Sequence, residues 1–133
     1  MYKSLPKLEK TFTIDLVGET TGLEYKGQFT AKCVLSIRDR QAIELEKSRL
    51  TADYANPSGT LFAIASMVAT LRAKLVEFPD WWKEVGLGSD LLDENVLIEV
   101  YEKTEDIAKE WKESLKKQAG EEKDKEGNEK KGK

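Results

Sequence analysis

TFTIDLVGETTGLEYKGQFTAKCVL, residues 11–35, alternates apolar and polar side chains at a period of two. Phe12, Ile14 and Leu16 fall on one face and Thr11, Thr13 and Asp15 on the other, and a second alternation runs Leu23, Tyr25, Gly27, Phe29, Ala31, Cys33, Leu35. Successive strand side chains point to opposite faces, so each run predicts a half-buried strand. Between them Val17-Gly18-Glu19-Thr20-Thr21-Gly22 is polar and bounded by glycines, which suits a hairpin looser than the two-residue turns and makes antiparallel pairing the expectation. Gly27 in mid-strand predicts a bulge or a close approach of another element. It does not open a phosphate loop, because no second glycine, lysine or helix start follows at the needed spacing.

Outward from this hairpin the period becomes helical. Ser36 and Asp39 form an S-x-x-D opening, a variant of the capping box, and predict a charged helix from Arg38 to Leu50 with few apolar positions. Asn56-Pro57-Ser58-Gly59 reads as a turn. Thr60 to Ala69 is apolar around nearly its full circumference, which predicts a central core helix continuing to about Glu77. Pro79 disfavours helical geometry at Phe78 and is expected to end that helix. Val85 to Asp90 reads as a second turn. Asp93 then precedes an amphipathic helix in which Leu97, Val100, Tyr101, Thr104, Ile107, Ala108, Trp111 and Leu115 recur at spacings of three and four. After Gln118 hydrophobic residues become too sparse to offset ordering entropy. The expected fold class is α+β: an N-terminal antiparallel β-hairpin packed on a mainly α-helical bundle. Residues 1–10 form an arm, 11–118 a single domain and 119–133 a disordered charged tail.

Trp81 and Trp82 are adjacent in Phe78-Pro79-Asp80-Trp81-Trp82-Lys83, directly after the most apolar stretch. Each tryptophan side chain carries roughly 150–250 Å², and successive helical positions point about 100° apart. One ring is therefore expected to pack inward and the other to be a candidate for contact with a partner, against the alternative of two core or rim aromatics at a helix corner. Phe62, Met67, Phe78, Trp81, Trp82 and Trp111 make up the candidate partner-binding set, because adaptable hydrophobes and aromatic anchors carry most of the energy of protein contacts. For Trp111 the alternative is packing, since it continues the apolar stripe of the last helix.

Composition narrows the chemistry. The chain has 133 residues with 39% hydrophobic content, enough for one ordinary core. A net charge of −3 with signs mixed along the chain argues against nucleic acid and anionic membrane as partners. There is no histidine, which removes the commonest general base and every Cys-His or Ser-His pair. Cys33 is the sole cysteine, read as a small buried hydrophobe in a reducing, cytosolic setting. Met1 to Lys7 shows no secretory pattern, and Leu61 to Ala69 is too short to span a bilayer. Asp90, Asp93 and Glu94 cluster ahead of the last helix, but such carboxylates serve as caps and solvated faces. The reading is therefore not an enzyme, with no catalytic residue, metal or cofactor.

The order of Gly27-Gln28-Phe29, Leu35-Ser36, the Asn-Pro turn, the apolar helix, the Pro-Asp-Trp-Trp segment and Leu92-Asp93-Glu94-Asn95-Val96-Leu97 resembles small tail-assembly proteins of tailed bacteriophages, of the tail assembly chaperone type. The resemblance covers residues 10–115 or so and rests on short hydrophobic motifs. It implies a protein of the host cell cytoplasm that coats aggregation-prone helices of the tape measure protein while tail tube subunits polymerise around it. The tape measure protein or the tail tube protein would then be the partner. The N-terminal hairpin finds no secure match in that pattern, which keeps a second reading open: a small structural virion subunit of tail, neck or connector that self-associates into a homo-oligomer.

Overall fold

The computed structural model describes the backbone of residues 4–131 and the side chains of residues 4–120. The alternating stretch forms β1 (Glu9–Val17) and β2 (Glu24–Lys32), antiparallel and in unbroken register from Glu9 opposite Lys32 to Val17 opposite Glu24. Ile14, Tyr25, Phe29 and Ala31 are buried on the inner face, as the period of two requires. Phe12 stacks on Phe29 directly across the pair, at 5.3 Å between ring centroids.

Ser36 and Asp39 close a capping box ahead of α1 (Ile37–Thr51), each side chain bonding the other residue's backbone amide. Only Ile43 of α1 is buried, in keeping with its sparse apolar positions. α2 (Gly59–Lys74) is capped by Ser58 and buries one face, with Ala65, Val68, Ala69 and Leu71 inside and Phe62 and Ala63 outside. The expectation of a helix enclosed on all sides is thus corrected. α4 (Glu94–Lys131) takes one flank of α2, and α1 shields part of the other.

The expected extension of this helix to Glu77 is also corrected. It ends at Lys74, where Leu75 turns extended, and Leu75–Glu77 becomes β3, pairing antiparallel with β2. The sheet order is β1-β2-β3, with a register shift at Thr30 and Ala31. Pairing with the β2 edge satisfies backbone groups that the helix would otherwise bond internally, so the helix stops before Pro79 acts. Gly27 makes a close approach; the irregularity in the sheet lies at Thr30 and Ala31. A Cβ at Gly27 would stand 2.6 Å from Cγ of Pro79.

α3 (Asp80–Glu84) and a single 3₁₀ turn at Gly86–Gly88 lead to α4 (Glu94–Lys131). Val96, Leu97, Val100, Thr104 and Ile107 of α4 are buried against the sheet and α2, following the expected stripe. Lys74, nearly enclosed at the end of α2, donates to Glu105 at 2.9 Å and lies over the Tyr101 ring. The arm is tied to α4: Trp111 Nε1 donates to the Pro6 carbonyl and Gln118 Nε2 to that of Ser4. Beyond Gln118 the backbone of α4 stays helical to Lys131, across the stretch read from sequence as a disordered tail, and Ala119 and Gly120 are exposed. Residues 1–3 of the arm, 132 and 133 of the tail, and the tail's side chains from 121 lie outside the described residues.

Candidate protein-interaction surface

Pro79 is the extended N-cap residue ahead of α3, and a helix at Asp80–Glu84 separates neighbouring side chains by about 100°. Trp82 points into the core, 1% exposed, with its ring edge-on to Phe29 at 5.5 Å and to Trp81 at 5.9 Å. Trp81 is half-buried. Its Nε1 donates to the Lys26 carbonyl at 2.9 Å, and its ring meets Tyr25 and Phe29 edge-on. The missing side chain of Gly27 makes room for this packing.

The six candidate residues do not form one surface. Phe78, Met67, Trp81 and Trp111 are partly buried and packed against the core, and Trp82 belongs to it. Trp82, a member of the candidate partner-binding set, is the ring of the pair that packs inward, so truncating it tests the core and not a contact. Of the set, Phe62 alone is exposed, at 49%.

An open apolar groove lies elsewhere. Leu50 of α1, Leu61 and Ile64 of α2, Leu91 and Leu92 of the loop before α4, and Leu97 of α4 surround a cavity of about 370 Å³. Leu92 stands at its mouth, 72% exposed. Among the described residues that line it, Glu94 alone is charged. Phe62 follows Leu61 on α2 and stands outside the lining. The wall from 86 to 92 is held by Arg72, which donates to the Gly86 carbonyl at 3.0 Å and to Ser89 Oγ at 2.6 Å while pairing with Glu46 of α1. Hydrogen bonds from Arg49, against the opposing effect of burial and with further help from Arg72, hold the Glu46 carboxyl below its ordinary pKa. Sequence reading overlooked the groove because Leu91 and Leu92 precede the α4 stripe and carry no period of their own.

Asp93 is fully enclosed and does not act as a solvated cap. Its Oδ1 accepts from the amides of Thr20 and Thr21 at 2.8 and 2.9 Å, and its Oδ2 from the Thr21 hydroxyl at 2.6 Å and the Tyr25 hydroxyl at 2.7 Å. Burial opposes ionisation, but these four donors outweigh it and hold the carboxyl down at about 2. Next to it Asn95 accepts from the Glu19 amide and donates to the Val17 carbonyl. The carboxylate thus fastens the hairpin turn to the start of α4. Among the described residues no group of three His, Cys, Asp or Glu side chains is placed to hold a metal ion.

Cys33 is buried, and burial raises its thiol pKa above the ordinary value, which disfavours the nucleophilic thiolate. Among the described residues no helix is long and apolar enough to cross a membrane. No protein-family model, curated protein or solved structure matches this chain.

Proposed function

We propose that this chain is a tail assembly chaperone of a tailed bacteriophage, acting in the host cytoplasm, and that the groove between α1, α2 and the start of α4 receives an apolar helix of the tape measure protein. The observation that carries the reading is that groove: an open, leucine-lined cleft of about 370 Å³ with Leu92 exposed at its mouth. Amphipathic helices dock in clefts of this kind through anchors at spacings of three and four. The motif order from Gly27 to Leu97 supports the same assignment. A self-associating structural subunit is the second reading, favoured by the outer edge of β1, along which no strand pairs from Glu9 to Asp15 among the described residues.

Co-expression with the large helix-rich protein encoded beside this gene tests the proposal. The neighbour is expected to be soluble only in complex with this chain. Leu92→Asp is expected to weaken that complex by about 2 kcal/mol or more while leaving the chain's own melting temperature nearly unchanged, since Leu92 buries little. A neighbour that is soluble alone would sink the chaperone reading, and an undiminished complex with Leu92→Asp would remove the groove as its site.

A further inference from the structure

The segments that line the leucine groove carry charge of one sign. From residue 50 to 71, through the end of α1 and most of α2, the one charged side chain is Asp53, and from 86 to 100 there are Asp90, Asp93, Glu94 and Glu99. Neither stretch holds a lysine or arginine, in a chain that carries 22 of them. Arg49 and Arg72, which bound the first stretch, are both bonded to Glu46. Asp93 is enclosed and spent on the hairpin turn. Glu94 is exposed and lines two openings: the groove itself, beside Leu92 and Leu97, and a neighbouring cleft of about 530 Å³ lined also by Leu16, Glu19, Ile98 and Glu99. Among the described residues Glu19 and Glu94 enter no ion pair, and Glu99 meets only Lys103, at 3.9 Å.

We propose, resting on the reading of the groove as a helix site, that its occupant is a basic amphipathic helix: apolar anchors at spacings of three and four enter between Leu61, Ile64, Leu92 and Leu97, and a flank of lysine or arginine lies against Glu94, Glu19 and Glu99. The leucine lining sets how firmly a helix is held but does not tell one amphipathic helix from another. The rim does, because a helix with an acidic flank meets repulsion as it docks and one with a basic flank is drawn in. The neighbouring cleft suits a long basic side chain in particular. Its stem can lie on Leu16 and Ile98 while its charged head reaches the carboxylates. Such rim pairs are exposed and screened by salt, so they act on the choice of partner more than on total affinity.

Two labelled peptides of equal length and identical leucine spacing, one with lysine and one with glutamate along the flanks, test this by fluorescence anisotropy with the full chain. The lysine peptide is expected to bind about tenfold tighter at low salt, and the preference should shrink at about 0.5 M salt. Glu19→Gln combined with Glu94→Gln should bring the two affinities to within about threefold, and Glu19→Lys combined with Glu94→Lys should reverse the preference. Both sites are exposed, so circular dichroism should show each variant folded. Leu92→Ser should weaken both peptides, as binding in the groove requires. Equal affinity of the natural chain for the two peptides, or a preference that survives the paired substitutions, would overturn the charge assignment while the groove stays a helix site. Failure of both peptides to bind at about 1 mM, or binding that Leu92→Ser leaves unchanged, would remove the helix site and the charge assignment with it.

Discussion

Asp93 shows how one residue can join two distant parts of a chain. The carboxylate accepts four hydrogen bonds from the hairpin turn, and its pKa in the folded protein is about 2 against an ordinary 3.8. Because the folded-state value is depressed, its stabilising effect is complete above the ordinary value and is lost as pH falls from about 4 towards about 2. Asp93→Asn replaces two acceptors by one and turns an amide donor towards other donors. The variant is expected to melt about 5–10 °C lower at pH 7, with the difference from the natural chain shrinking below pH 4. Thermal melts at pH 7, 4 and 2.5 check this; a difference that does not change with pH would remove the linkage. Gly18 belongs to the same device, since a Cβ there would stand 2.2 Å from the Asp93 carboxyl carbon. A carboxylate ahead of a helix reads from sequence as a cap, and nothing local reveals that its donors lie some seventy residues earlier.

Between elements, the contact of α3 with β2 depends on Gly27. Valine there would meet Pro79 and Trp81 and separate the Trp81 indole from the Lys26 carbonyl. Gly27→Val is expected to cost about 2 kcal/mol or more of stability and to shift tryptophan emission to longer wavelength. Urea unfolding followed by fluorescence measures both, and an unchanged midpoint and spectrum would contradict the close packing. Elements set by their own period were legible in the sequence: the hairpin through Phe12, Ile14 and Leu16, α1 through Ser36 and Asp39, and α4 through its stripe from Leu97 to Trp111. β3 was not, because Leu75-Val76-Glu77 is too short to show a period and follows an apolar helix without a break. The tryptophan pair drew attention as a binding site, yet Trp82 is enclosed in the core and Trp81 packs half-buried on β2. The leucines of the groove, brought together from four segments, left no signal in any one of them.

The molecule as a whole is unevenly consolidated. α1 packs chiefly on α2, buries one residue, Ile43, and leaves Ile37 and Leu45 75% and 74% exposed. β2 lies between two strands and above α4. Hydrogen exchange should therefore find the amides of α1 about 100-fold less protected than those of β2, and equal protection would show that α1 opens only with the whole domain. The fastening of the hairpin turn also has a consequence for how the chain is made. Residues 17–25 leave the ribosome long before Asp93 and Asn95, so the newborn hairpin has neither its clamp nor the helix that covers its apolar face. Such distant closures slow folding, and unpaired strand edges expose a chain to aggregation meanwhile. The nascent protein thus passes through a stage in which it is itself a client for holding factors, and that stage ends only when the start of α4 emerges.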